Sequence, residues 1–124
     1  QIGLGAALEY MMDLGMENIA AHERGLRDYA RDRLRSLNWL QVQGDAPEKG
    51  AIFSMTMQGA HAHDLSTILD KRGIAVRAGS HCAMPLMEFF GITASARASL
   101  AMYNTRQEVD ALVEGLTFCR DLFA

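Results

Sequence analysis

The order of patterns along the chain predicts an α+β fold, a small and mostly antiparallel sheet covered by helices. Three observations lead there. The segments that begin at Met16 and after Thr105 repeat apolar residues at three- and four-residue steps. Between them lie short apolar or alternating runs, bounded by Gly, Pro and Asp. The chain has 124 residues, 49 % of them apolar and 22 % charged, which suits one domain with a buried core.

Each element has a local cause. Leu4 to Leu14 is a helical pattern stopped at Gly15. From Met16 a second helix aligns Ile19, Leu26, Tyr29, Ala30, Leu34 and Leu37 on one face. Its opposite stripe, Glu23, Arg27, Arg31 and Arg35, reads as solvated. Leu40 to Gln43 alternates and meets the turn Gly44-Asp45-Ala46-Pro47. Ala51 to Met57 is a second strand, closed by Gly59-Ala60. Asp64 caps a short helix whose apolar face is Leu65, Ile68 and Leu69, ending before Gly73. Ile74-Ala75-Val76 is a third strand, and the loop RAGSHCAMP follows it. Leu86 to Phe90 makes a helical turn stopped by Gly91, and Ala96 to Met102 is a fourth strand. Thr105 and Glu108 form a capping box. The last helix then aligns Val109, Leu112, Val113, Leu116, Cys119 and Phe123.

Composition excludes disorder, a collagen repeat and a disulfide-rich miniprotein. Twelve basic and fifteen acidic residues give a net charge of -3, which argues against a nucleic-acid partner held by bulk charge. No apolar run approaches the roughly 20 residues that span a bilayer, and without a basic n-region and an apolar h-region at the start no signal peptide is expected. Two cysteines make no disulfide framework, so a reducing cytoplasmic setting is expected. The chain opens at Gln1 inside a helical run and reads as a piece of something longer.

Few residues are candidates for chemistry. Cys119 sits on an apolar stripe and reads as core. Cys82 sits in a loop with His81 before it and Arg77 five residues upstream. On the residues alone two readings stand: a reactive thiol favoured by nearby cations, or a plain loop thiol. Arg97 lies among small and apolar neighbours. It is either an exposed arginine of an edge strand or a buried one that needs an anionic partner such as a carboxylate. His61, His63 and Asp64 lack further ligands at a familiar metal spacing, so no metal is expected. No phosphate-binding glycine motif occurs. Of twelve cationic residues only Lys49 and Lys71 are lysines.

The run GIAVRAGSHCAMPLMEFFGITASARASLAMYNTRQEVDALVEGL resembles the C-terminal end of a Suf-type (group II) cysteine desulfurase, a pyridoxal-phosphate enzyme of the class V aminotransferase group. LGAALEYMMDLGMENIAAHERGL and HAHDLSTILDKRGIAVR resemble the same family in the same order. The resemblance implies the C-terminal small domain of a fold-type-I enzyme over residues 16–124, with residues 1–15 the end of the helix from a large cofactor-binding domain. It implies that Cys82 is the catalytic cysteine, which takes sulfur from L-cysteine as a persulfide and leaves alanine. It implies that Arg97 holds the substrate carboxylate and that Arg77 and His81 belong to the active-site loop. Ser80 stands where the family usually has His or Gln.

The family's cofactor lysine lies upstream, and neither Lys49 nor Lys71 has its sequence context. The fragment is therefore expected to hold no pyridoxal phosphate and to be inactive alone. The parent is expected to be a homodimer that passes sulfur to an acceptor protein for iron–sulfur cluster assembly. Two alternatives are a selenocysteine lyase or other class V relative, and a cofactor-independent thiol carrier or protein-binding module. An isolated domain should also expose apolar surface, with Met11, Met12, Met16, Met84 and Met87 as candidates.

Overall fold

Gly15 splits the N-terminal helical run in two. Its φ of 90° and ψ of 120° lie outside the helical basin, and its N–H closes the first helix on Met11 and Met12 carbonyls. The computed structural model describes residues 1–124. In chain order it has α1 (Ile2–Leu14), α2 (Met16–Arg35), β1 (Leu40–Gln43), β2 (Ile52–Met57), α3 (Ala62–Asp70), β3 (Arg77–Gly79), α4 (Met84–Phe90), β4 (Ser95–Ser99) and α5 (Arg106–Phe123).

The sheet is antiparallel throughout, in the order β1-β2-β4-β3. β4 is inserted between β2 and β3, so it is an interior strand. Alternation sorts the side chains. Phe53, Met55 and Met57 of β2 and Ala96 and Ala98 of β4 point to one face and are buried. They meet Ala30 and Leu34 of α2, Leu65 and Leu69 of α3, and Val109, Leu112, Val113, Leu116 and Cys119 of α5. Gly115 lets α3 approach α5 closely, since a Cβ there would meet Leu69 and Ile74 at 2.7 and 2.8 Å. Ser54, Thr56, Ser95 and Arg97 alternate onto the outer face, with Gln43 opposite Ser54.

The capping box of α5 is formed. Thr105 Oγ1 accepts from the Glu108 N–H, and Glu108 Oε2 accepts from the Thr105 N–H. Asp110 ties α5 to α2, accepting from Tyr29 Oη at 2.8 Å and Arg33 Nε at 3.0 Å. Cys119 is fully buried, and burial pushes its thiol up from the ordinary value.

Four expectations are corrected. α3 starts at Ala62, capped by His61 Nδ1, which accepts from the His63 N–H at 3.2 Å; Asp64 lies in the first turn, where a negative charge suits the helix dipole. The third strand is Arg77–Gly79 rather than residues 74–76. Ile74 and Val76 pack against the core, but Ser66 Oγ takes the Val76 carbonyl, and the ladder to β4 begins at Arg77. The fourth strand stops at Ser99, where Leu100 is held by the Ala51 carbonyl and a turn follows. The charged stripe of α2 is only partly solvated. Arg27 and Arg31 donate to the Lys49 and Pro47 carbonyls, and Arg35 pairs with Asp45, so the stripe clasps the turn between β1 and β2. Of the methionines, Met87 is buried, whereas Met12, Met16 and Met84 are exposed and Met11 is half-buried.

Candidate active site

β3 is three residues long and ends at Gly79, paired with Ser95. The chain then turns tightly, with the Ala83 N–H on the Ser80 carbonyl at 3.0 Å, and enters α4. His81 and Cys82 occupy this turn, both at φ 56°. They are the chain's two non-glycine residues with positive φ. Side chains avoid this left-handed region, and two in succession persist only where the surroundings hold them. Cys82 is exposed and Cys119 is buried, so the two thiols have opposite surroundings.

His81 folds back onto β4. Its Nε2 lies 2.9 Å from Ser95 Oγ and 3.1 Å from the Ser95 carbonyl oxygen. A carbonyl only accepts, so Nε2 carries the proton and Nδ1 is the bare nitrogen. Ser95 is completely buried, and its hydroxyl lies 2.5 Å from Ser54 Oγ on β2. Burial and then the Arg97 guanidinium move the imidazole below its ordinary value, against a smaller upward pull from the Ser95 carbonyl, and the Arg77 guanidinium adds a lesser downward one. His81 is therefore neutral at pH 7.

Arg97 is half-buried on the interior strand, which replaces the edge-strand reading. Its cross-strand partner on β3 is Arg77, and on β2 it is Ser54. Like charges directly opposite one another repel. All three salt bridges of the chain lie elsewhere, at Arg27–Asp28, Arg33–Asp110 and Arg35–Asp45. The two buried side-chain polar atoms without a hydrogen-bond partner are Arg97 Nε and His81 Nδ1. Both belong to this cluster. Two guanidiniums without an acid between them form a receptor for an anion, and a planar guanidinium suits a carboxylate.

Arg77, His81 and Arg97 are thus brought to one end of the outer face, with Cys82 on the adjoining turn. His61 and His63 stack elsewhere, and no three His, Cys, Asp or Glu side chains gather as metal ligands. Sequence reasoning passed over Ser54 and Ser95. Their only signal is a small hydroxyl among apolar strand residues.

The aminotransferase class-V family model matches residues 1–112. The chain belongs to the aminotransferase class-V family. This class-V chain is 45 % identical over 124 residues to a cysteine desulfurase of Haloferax volcanii, covering 99 % of the chain and 29 % of that protein. It is 50 % identical over 115 residues to a cysteine desulfurase of Escherichia coli O127:H6, covering 93 % of the chain and 28 % of that protein. In three dimensions it matches the cysteine desulfurase CsdA of Escherichia coli with a TM-score of 0.89 and 35 % identity, over 99 % of this chain and 30 % of that one. The cysteine desulfurase of Thermococcus onnurineus NA1 matches with a TM-score of 0.87 and 31 % identity, over 98 % of this chain and 30 % of that one. The class-V chain therefore spans under a third of the length of these relatives. No helix is long and apolar enough to cross a membrane.

Class-V enzymes work in general with pyridoxal phosphate, which a lysine holds as a Schiff base. The residues present do not fit that attachment. Lys49 Nζ lies 4.7 Å over the ring of Phe53, on the helix-covered side of the sheet. Lys71 is exposed just past α3, in the same helical layer. Neither reaches the face that carries Arg97.

Proposed function

We propose that this chain is the small domain of a cysteine desulfurase, residues 16–124, with residues 1–15 ending the helix from a larger cofactor-binding domain. The whole protein is then a cytoplasmic homodimer that carries pyridoxal phosphate and passes sulfur to an acceptor protein of iron–sulfur cluster assembly. Supporting this are the names of the relatives, each a cysteine desulfurase, and one observation that carries the site: Arg77 and Arg97 face each other without a carboxylate, beside the turn that presents Cys82.

The reaction balances on the chain's own thiol. L-Cysteine and the Cys82 thiol give L-alanine and a Cys82 persulfide; one C–S bond and one S–H bond break, one S–S bond and one C–H bond form, the thiol proton is matched by the proton gained at carbon, and no outside oxidant enters. Arg97 binds the substrate carboxylate through two parallel N–H donors, which fixes the direction in which the substrate sulfur lies. Arg77 adds a second positive charge. Cys82 takes the sulfur as a soft nucleophile and keeps it on an exposed turn, where an acceptor can reach it. Pyridoxal phosphate, when bound, supplies the electron sink that makes the substrate C–S bond breakable.

The test uses the full-length protein. Cysteine is added, alanine is measured, and peptide mass spectrometry locates the extra sulfur. The expected result is one alanine per persulfide on Cys82, with both products lost in Cys82→Ala. Alanine formation that persists in Cys82→Ala, or sulfur found on Cys119, overturns the proposal.

A further inference from the structure

The turn that carries Cys82 holds two consecutive residues in the left-handed region, where a side chain meets its own backbone. Something must hold it there. The turn's own backbone offers one hydrogen bond, from the Ala83 N–H to the Ser80 carbonyl. Neither Ser80 nor Cys82 makes a side-chain hydrogen bond. The one side chain that ties the turn to the sheet is His81, through Ser95. Ser95 is itself completely buried and braced by Ser54 on the next strand. The tie thus runs from the turn across β4 to β2.

We propose that Ser95 positions Cys82 for sulfur transfer, acting through the His81 imidazole, with Ser54 as its brace. This rests on the reading of Cys82 as the sulfur-accepting thiol. The geometry separates two duties on one strand. Arg97 and Ser95 are two residues apart on the same face. Arg97 meets the substrate, whereas Ser95 meets the loop through His81 and β2 through Ser54. A neutral imidazole suits this second duty, since its one N–H is spent on Ser95 while a charged ring would need a partner for Nδ1 as well. Without the Ser95 hydroxyl the ring keeps only the longer contact to the carbonyl. His81 and Cys82 can then relax to ordinary backbone conformations, and the thiol moves away from the substrate sulfur while Arg97 stays in place.

The experiment compares Ser95→Ala, Ser54→Ala and Ser95→Thr in the full-length protein loaded with pyridoxal phosphate. Single-turnover formation of the Cys82 persulfide and the dissociation constant for L-cysteine are measured separately. Ser95→Ala is expected to slow persulfide formation about tenfold, the scale of one lost hydrogen bond, with the dissociation constant changed less than about twofold. Ser54→Ala should slow it less, and Ser95→Thr should restore most of the rate. In the cofactor-free protein, hydrogen exchange at the Ala83 amide should quicken in Ser95→Ala, while exchange at the Arg97 and Ala98 amides stays unchanged.

An unchanged transfer rate overturns the proposal. So does a loss confined to substrate affinity, or faster exchange throughout β4, since both mean that the hydroxyl merely supports the strand. Failure of Ser95→Thr to recover any rate overturns it too. Turnover that survives Cys82→Ala instead removes the underlying reading, whatever Ser95 does.

Discussion

The two faces of the sheet are built by opposite rules. On the covered face, Phe53, Met55, Ala96 and Ala98 meet three helices, and that layer leaves no buried polar side-chain atom unpaired. On the outer face, Ser54, Ser95, Arg97 and Arg77 line up, and the two buried polar atoms without partners both belong to that cluster. The outer face carries two opposed cations and a turn with two positive φ angles, which on the proposed reading suits a surface that meets a substrate.

Substitutions on the two faces should therefore fail in different ways. The largest effect is expected from Cys82→Ala, with desulfurase turnover of the full-length protein abolished. Its melting temperature should hardly move, because an exposed side chain contributes within about 0.5 kcal/mol. On the covered face, Phe53→Ala should destabilise the chain by about 3–5 kcal/mol, read from urea denaturation, because a ring 2 % exposed leaves a cavity among helices that cannot close on it.

Arg97→Leu makes the sharpest contrast. It should raise the KM for L-cysteine about 100-fold through loss of a charge-assisted pair. It should cost the fold nothing, or stabilise it by up to about 1 kcal/mol, because the repulsion from Arg77 is removed. A large loss of stability would mean that Arg97 is structural and would erase the distinction between the faces.

The smallest effect is expected at His81. Burial and the neighbouring guanidiniums hold its folded-state value below the ordinary value of about 6.5, so the unfolded chain binds the extra proton more readily. This group costs nothing above about pH 6.5, and stability falls as pH drops through the folded value. Thermal melts at about pH 7.5 and about pH 5.5 should show a larger acid loss for wild type than for His81→Asn, whose side chain tolerates positive φ. Equal losses would show that the imidazole is free to protonate.

Much of the covered face was legible in the sequence. The stripe from Val109 to Cys119 and the Thr105–Glu108 box are local patterns, set by a 3.6-residue period and by hydrogen bonds three residues apart. The motif around Cys82 and Arg97 was legible too, through its resemblance to a family. The start of α3 was missed because His61, an uncommon cap, competes with Asp64. β3 was placed three residues early because Ile74 and Val76 look like a strand yet serve the core without a ladder. The tie from His81 to Ser95 joins residues 14 apart and had no local signature.

The amino-acid order alone determined the helices, their buried stripes and the residue types available for chemistry, because these depend on neighbours within a few positions. Only the tertiary structure decided that β4 lies inside the sheet, that Arg77 stands opposite Arg97, and that a buried serine holds the turn bearing Cys82. Strand partners and register come from contacts between distant segments, chosen by which pairing buries Phe53, Met55, Ala96 and Ala98 together, and no short window of sequence contains that choice.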